Sequence, residues 1–165
     1  MFTLILGQNN SGKSSYAESI IGGLQSTKRY YIATMIPYGE EGQARVSKHL
    51  KMRENLNMIT LEDPYFEKTD EIEDCADVLL EDVSNLVANR LFERGNASCD
   101  TIVCELTKLS RRVSNLVVVS ISGIVAEGYD AETVNYINRL NEINDRLSAL
   151  ADKTVRMGKD PVARG

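Results

Sequence analysis

The sequence is poor in cysteine, proline and histidine, and these shortages exclude several classes of protein. Its 165 residues include three cysteines, three prolines and a single histidine. The cysteines, Cys75, Cys99 and Cys104, form no CxxC pair, and one histidine is too few to complete a Cys/His zinc site. We therefore expect free thiols in a reducing compartment, and exclude both a disulfide-stapled scaffold and a zinc finger.

Long apolar runs and an excess of basic charge are also missing. The N-terminal apolar run, Phe2 to Leu6, is too short for a signal peptide or a membrane span, and no basic residue precedes it. We therefore expect a cytoplasmic protein that has no membrane partner. The chain has 19 Lys and Arg against 24 Asp and Glu, a net charge of −5. This balance argues against a nucleic-acid partner, because proteins that bind nucleic acid normally present a basic patch.

Short apolar runs alternate with segments of helical periodicity along the chain. The runs predict strands near residues 2–6, 30–33, 58–61, 78–80, 116–120 and 153–157. Helices are predicted after the first strand up to Gly22-Gly23, over 84–93 and over 131–151. In the last of these, one stripe of aliphatic residues predicts the face that packs on the core: Val134, Ile137, Leu140, Ile143, Leu147 and Leu150.

Strands that are apolar on both faces and alternate with helices predict a mostly parallel sheet between two helical layers. A chain of 165 residues has the usual size of one domain, so we expect residues 1–165 to form a single three-layer α/β domain.

One motif predicts a ligand. Residues Gly7-Gln8-Asn9-Asn10-Ser11-Gly12-Lys13-Ser14 match G-x-x-x-x-G-K-[ST] between the first predicted strand and the first predicted helix. Gly7 and Gly12 permit backbone angles that let successive N–H groups surround a phosphate. Lys13 supplies a charge for the β- and γ-phosphates, and the Ser14 hydroxyl suits Mg²⁺. The eight residues therefore predict a site for ATP or GTP.

A phosphate loop of this kind works with an acid at the end of another strand, which helps to hold Mg²⁺. Glu81 and Asp82 directly follow the apolar run 78–80. We predict Glu81 as the catalytic and metal-binding acid, with Asp82 as its substitute. Glu62 and Asp63 are weaker candidates because the run before them is less apolar.

The single histidine, His49, lies in a basic segment. Arg45, Lys48, Lys51 and Arg53 surround it, and this local positive charge suits a second phosphate-bearing ligand. A lone histidine among basic residues is also ordinary on a protein surface. The residues alone leave open whether His49 is a nucleophile or a surface side chain.

Taken together, these motifs resemble the bifunctional adenosylcobinamide kinase / adenosylcobinamide-phosphate guanylyltransferase family of cobalamin biosynthesis. Besides the phosphate loop, the matching pieces are Tyr31-Ile32-Ala33-Thr34, Arg45-x-x-x-His49-x-x-x-Arg53, Leu79-Leu80-Glu81 with Asn89 downstream, Val117-Val118-Val119-Ser120, and the end of the last helix with Asn144 and Leu147 to Asp152. The resemblance implies a RecA-like P-loop fold and a homotrimer.

The resemblance also implies two reactions. In the first, Lys13 and Glu81 assist transfer of a nucleoside triphosphate's γ-phosphate to the aminopropanol hydroxyl of adenosylcobinamide. In the second, His49 attacks the α-phosphate of GTP and carries GMP to adenosylcobinamide phosphate. Arg45 and Arg53 are expected to bind nucleotide phosphates.

Two stretches differ from the family's usual pattern. Residues 120–123 read Ser-Ile-Ser-Gly where the family usually has Asn-Glu-Val-Gly. Residues 134–138 read Val-Asn-Tyr-Ile-Asn where the family usually has Arg-x-aromatic-Arg-Asp. Two alternatives therefore stay open: a small P-loop kinase for another alcohol or nucleoside, and a nucleotide-binding regulatory protein.

Overall fold

The computed structural model describes residues 1–25, 28–36, 43–44, 54 and 56–158. In chain order, the described helices and strands are β1 (Phe2–Gly7), α1 (Lys13–Gly22), β2 (Arg29–Ala33), β3 (Ile59–Glu62), a 3₁₀ turn (Thr69–Glu71), β4 (Asp77–Glu81), α2 (Val83–Ala88) with a π-helical turn after it (Asn89–Glu93), α3 (Cys99–Arg112), β5 (Asn115–Ile121), α4 (Ala131–Leu150) and β6 (Lys153–Met157). All six predicted strands and the three predicted helices are present.

The six strands of the described residues form one sheet in the order β3-β2-β4-β5-β1-β6. Every neighbouring pair is parallel. The central strands β1, β4 and β5 are buried almost throughout, as expected for strands covered on both faces. Since the strands are parallel, the loops that follow β1, β2, β4 and β5 all leave the same edge of the sheet.

Helices cover both faces of this sheet. Alternate residues of a strand point to opposite faces, so Leu4 packs in the core beneath α2, α3 and α4, whereas Ile5 packs beneath α1. On the α1 face, Ile21 meets Leu79 of β4 and Val117 of β5. The predicted three-layer α/β architecture is confirmed, and in the part of the chain that the structure describes α2, α3 and α4 cover one face while α1 covers the other.

α3 is not among the predicted helices, although the sequence carries the signals for it. The Ser98 side chain accepts a hydrogen bond from the N–H of Thr101 (3.3 Å) and caps the helix. Four aliphatic residues then recur at helical spacing and are buried: Ile102, Val103, Leu106 and Leu109. The polar residues between them form the outer face of an amphipathic helix.

The predicted apolar stripe of α4 is correct in its middle and wrong at its end. Ile137, Leu140, Ile143 and Leu147 are buried, but Leu150 is 50% exposed. The stripe stops there because the helix ends at Leu150 and the chain turns into β6. No helix among the described residues, α4 included, is long and apolar enough to cross a membrane.

Candidate functional site

The loop between β1 and α1 is compact, and both motif glycines are sterically required. A Cβ atom on Gly7 would lie 2.7 Å from the Met157 carbonyl oxygen and 2.7 Å from the Ser11 Oγ atom. Gly12 has φ +84°, in the left-handed region that favours glycine. The sequence therefore folds here into the tight turn that the phosphate-loop motif predicts, with the N-terminus of α1 directly behind it.

The side chain of Lys13 folds over this loop, and its ammonium group contacts the backbone of the turn. The residue is only 8% exposed, and its Nζ atom donates a hydrogen bond to the Gln8 carbonyl oxygen at 2.6 Å. Burial lowers the pKa of Lys13, while the nearby carboxylates of Asp82 and Glu81 act in the opposite direction. The ammonium group is thus placed between the loop and two acids at the end of β4.

Ser14, in the first turn of α1, lies next to Glu81 at the end of β4, although β4 is not a neighbour of β1, the strand that precedes α1. The Ser14 hydroxyl donates a hydrogen bond to Oε2 of Glu81 at 2.6 Å. β5 separates β1 from β4 in the sheet. The contact forms because α1 packs across β4 and β5, which brings its first turn to the end of β4. The two predicted metal ligands therefore meet in one place.

The phosphate loop also contains a buried polar atom that forms no hydrogen bond within the described residues. The Ser11 hydroxyl oxygen is buried and has no hydrogen-bond partner among the described residues. A buried hydroxyl of this kind costs free energy unless something bonds to it, and an oxygen-rich anion is a suitable partner.

The oxygen ligands near Lys13 suit an Mg²⁺ ion that is bound together with a nucleotide. A hydroxyl and a carboxylate are the hard oxygen ligands that Mg²⁺ prefers. Within the described ranges, no group of three or more His, Cys, Asp or Glu side chains is arranged to hold a metal ion. Mg²⁺ bound to phosphates usually takes one or two protein oxygens, which matches Ser14 and Glu81.

Asp82 caps α2 through one of its two carboxylate oxygens, and its role as a substitute ligand stays a prediction. Its Oδ1 atom accepts hydrogen bonds from the Asn85 N–H (2.8 Å) and the Ser84 hydroxyl (2.6 Å), so it is the N-cap of the helix. Burial raises the pKa of Asp82, and these hydrogen bonds oppose that rise.

The weaker candidates after β3 have other surroundings. Asp63 is 2% exposed, and its carboxylate accepts the N–H groups of Glu67 (2.7 Å) and Lys68 (2.8 Å). Glu62 ends β3, which is an edge strand separated from β5 by β2 and β4. These contacts place Asp63 in the turn that follows β3.

The end of β5 forms the other border of the loop. The Ser122 N–H donates to the Gly7 carbonyl oxygen at 3.0 Å. Asn144 of α4 accepts the Ser120 hydroxyl at 2.6 Å and donates to the Ile121 carbonyl oxygen at 2.9 Å. A cavity of about 250 Å³ lies here, lined by Gln8, Asn9 and residues 121–124.

Asn144 is not among the predicted site residues and is part of the family resemblance only. The available signal was an amide on the otherwise apolar face of α4, where a buried polar group must be hydrogen-bonded.

A larger cavity of about 900 Å³ lies between the loop after β3 and α3, and no residue of the phosphate loop lines it. Its arginines are already engaged by the protein. Arg90 donates to the Tyr65 carbonyl oxygen at 2.7 Å and to Glu105, and Arg112 donates to the carbonyl oxygens of Thr69 and Ile72. These side chains hold the loop after β3 against the helices.

The second predicted group of site residues lies outside the described residues. It consists of His49, Arg45 and Arg53, together with Lys48 and Lys51. The structure therefore brings together the phosphate loop, Lys13, Ser14 and Glu81, and the position of His49 relative to them stays a prediction.

Comparison with known proteins gives one family and two similar folds. The family model described as "Cobinamide kinase / cobinamide phosphate guanyltransferase" matches residues 3–159. The RadB recombinase has 15% sequence identity and a TM-score of 0.53, with 97% of this chain and 75% of that chain covered. A prototypical ATPase from the type III secretion system of pathogenic bacteria has 15% identity and a TM-score of 0.57, with 99% and 52% covered.

At this identity the two structures show the fold alone, and this chain spans about half the length of the ATPase. They confirm the predicted RecA-like P-loop fold. No curated protein gives a significant match to the sequence.

Proposed function

Because the chain belongs to the cobinamide kinase / cobinamide phosphate guanyltransferase family, we propose that it phosphorylates the aminopropanol hydroxyl of adenosylcobinamide and then converts the product, with GTP, into adenosylcobinamide-GDP. The observation that carries the first reaction is the 2.6 Å hydrogen bond between Ser14 and Glu81, next to the buried Lys13. Family membership supplies the corrinoid substrate and the place in cobalamin biosynthesis.

The kinase step depends on positioning and on charge. The transferred phosphoryl group develops charge on its outer oxygens and needs little covalent help from the protein. Gly7 to Ser14 bind the phosphates, and the Lys13 ammonium group neutralises charge on the β- and γ-phosphate oxygens. When bound by Ser14 and Glu81, Mg²⁺ adds further positive charge at the same phosphates.

The guanylyltransferase step uses His49 as the nucleophile. An imidazole nitrogen forms a bond to the α-phosphorus of GTP, and the bond to pyrophosphate breaks. A phosphate oxygen of the corrinoid then attacks the same phosphorus, and the nitrogen–phosphorus bond breaks. The covalent intermediate divides one difficult transfer into two easier ones, and Arg45 and Arg53 bind the nucleotide phosphates. In this proposal the whole chain acts as one domain, in a homotrimer, in the cytoplasm.

A specific observation favours a second candidate. The two stretches that differ from the family's usual pattern, 120–123 and 134–138, contain no cationic side chain for a substrate phosphate. Their polar groups bond within the protein: Ser120 to Asn144, and the Tyr136 hydroxyl to the Ser84 carbonyl oxygen at 3.1 Å. A nucleotide-binding regulatory protein, or a kinase for a different alcohol or nucleoside, is therefore the alternative.

Lys13→Ala tests the phosphoryl transfer. We expect kcat to fall by at least about 100-fold, because the charge that stabilises the transferring phosphate is removed. The assay follows phosphate transfer from ATP and from GTP to adenosylcobinamide and to a panel of nucleosides. Lys108→Ala, which removes an exposed lysine on α3, is the matched control and should keep the wild-type rate.

The acceptor panel separates the alternatives. Phosphorylation of a nucleoside but not of the corrinoid supports the other kinase, and nucleotide binding without any transfer supports the regulatory protein. Wild-type turnover in Lys13→Ala contradicts the phosphate-loop assignment itself.

His49→Ala tests the covalent step. Incubation with GTP labelled at the α-phosphorus should leave acid-labile, alkali-stable label on the wild-type protein, because a phosphoramidate forms. The label should be absent in His49→Ala, while phosphorylation of the corrinoid continues. Labelling that survives the substitution rules out His49 as the nucleophile.

A further inference from the structure

Thr34 lies directly beyond β2, next to the chain segment that carries Glu81. Its side chain is completely buried. The Thr34 hydroxyl oxygen accepts the Asp82 N–H at 2.7 Å, and it lies within donating distance of the carbonyl oxygens of Glu81 (2.9 Å) and Asp82 (2.8 Å). The Thr34 backbone N–H also donates to the Glu81 carbonyl oxygen, at 3.0 Å. Thr34 thus bonds to the C=O and to the N–H of the Glu81–Asp82 peptide group.

These contacts take the place of the hydrogen bonds between β2 and β4 just beyond the last residue pair of the two strands. The register of β2 and β4 stops at the pair Ala33 and Glu81. After that pair the chain leaves β4 to begin α2, so its backbone groups no longer have partners in the ladder. Buried backbone groups must still be paired, and Thr34 provides the pairing. Thr34, directly after β2, therefore determines the direction that the backbone takes after Glu81.

Asn89 holds Thr34 in turn. Its Nδ2 group donates to the Thr34 carbonyl oxygen at 2.7 Å and to the Pro64 carbonyl oxygen at 2.9 Å. The amide thereby ties the ends of β2 and β3 to the helical turn after α2. A continuous series of hydrogen bonds runs from Asn89 through Thr34 and Glu81 to Ser14.

From this arrangement we propose that Thr34 is a positioning residue, which orients Glu81 against Ser14 and so determines how strongly Mg²⁺ contributes to nucleotide binding. The proposal rests on the proposed nucleotide site. Thr34 itself touches neither nucleotide nor metal, and it acts through the Glu81 backbone. A purely structural role would weaken nucleotide binding equally with and without Mg²⁺, whereas a positioning role acts only on the metal-dependent part.

The test measures nucleotide affinity by calorimetry, with the β,γ-imido analogues of ATP and GTP, in Mg²⁺ and in EDTA. The ratio of the two dissociation constants gives the metal's contribution. Thr34→Val keeps the shape of the side chain but removes the hydroxyl, and we expect it to reduce this contribution by about tenfold while affinity in EDTA stays unchanged. Thr34→Ser keeps the hydroxyl and should restore the wild-type ratio.

A double-mutant cycle connects the effect to Glu81. Glu81→Gln should reduce the metal's contribution, and adding Thr34→Val to that variant should reduce it no further, because both act on the same carboxylate. Thr3→Val is the matched control: it makes the same change at another buried threonine, near the opposite end of the sheet on β1. It should leave the ratio at the wild-type value.

The outcomes separate this inference from the proposed function. If the wild-type protein binds neither analogue, the proposed nucleotide site is wrong. If Glu81→Gln removes the metal's contribution but Thr34→Val does not, the site stands and the positioning role is wrong. Equal weakening with and without Mg²⁺ in Thr34→Val, or additive effects in the cycle, also overturn it. Should Thr34→Val fail to fold, Asn89→Ala takes its place in the cycle, and an unchanged ratio there is equally decisive against the proposal.

Discussion

Two aspartates begin helices in this protein, and their surroundings give them opposite acid–base behaviour. Asp130 caps α4 by accepting the Thr133 N–H at 2.8 Å, and its hydrogen bonds to Thr133 lower its pKa. Asp82 caps α2 with two similar bonds, but burial raises its pKa. In the exposed cap the hydrogen bonds dominate, and in the buried cap the cost of removing a charge from water dominates.

Asp130→Asn and Asp82→Asn test this difference through the pH dependence of stability. For Asp130, the stabilisation of the wild type relative to the variant should be complete above the ordinary pKa of 3.8 and be lost as the pH falls through the lowered value. For Asp82 the sign is reversed: the wild type should lose stability relative to the variant as the pH rises from 3.8 through the raised value. Urea unfolding of both pairs between pH 3 and pH 7 measures the slopes, and slopes of the same sign contradict the assignment.

At the residue scale, the phosphate loop could be identified from the sequence because its eight positions are contiguous and each has a local physical reason. Gly7 is confined by Ser11 and by Met157, and Gly12 has a positive φ. Thr34 differs from the phosphate loop in this respect. Its partners are 47 and 48 positions away, so no local pattern around it indicates a function.

At the scale of single elements, α4 shows how burial varies along one predicted face. Leu147 is completely buried, whereas Leu150, three positions later on the same stripe, is 50% exposed. The helix ends at Leu150, and the chain then turns into β6 at Lys153. Helical spacing identifies the face but does not tell where the partner surface stops.

Leu147→Ala and Leu150→Ala form a matched pair that tests this reading. The first should lower the free energy of unfolding by about 2–5 kcal/mol, because it leaves a cavity in the core. The second should lower it by less than about 1 kcal/mol, since the side chain is half in water in the folded state. Urea unfolding at pH 7 measures both, and equal losses contradict the boundary of the buried face.

Most elements could be predicted from the sequence, since short apolar runs and helical spacing are local properties. β1, β4 and β5 read as continuous apolar runs because both of their faces are covered. α3 is the exception among the described helices, since it is not predicted although it has a Ser98 cap and regularly spaced aliphatic residues. The structural role of Asn144 is not a local property, because its partners, Ser120 and Ile121, belong to a different element.

At the scale of the whole molecule, the strand order decides which acid reaches the phosphate loop. β5 lies between β1 and β4, and α1 crosses both β4 and β5 on one face. Ser14 therefore meets Glu81, 67 positions away along the chain. Asp82, the next residue, begins α2 instead. The apolar runs predict parallel strands but contain no information on their order.

The sequence by itself determined the parallel α/β class, the phosphate loop and the family, because burial patterns and contiguous motifs are written in neighbouring residues. Only the tertiary structure decided that Glu81 contacts Ser14, that Asp82 caps a helix, and that Thr34 bonds to the backbone beside Glu81. The contacts of Glu81 and Thr34 join the end of β4 to the first turn of α1 and to the end of β2. They exist only once the order of the strands and the crossing of α1 bring distant segments of the chain to the same edge of the sheet.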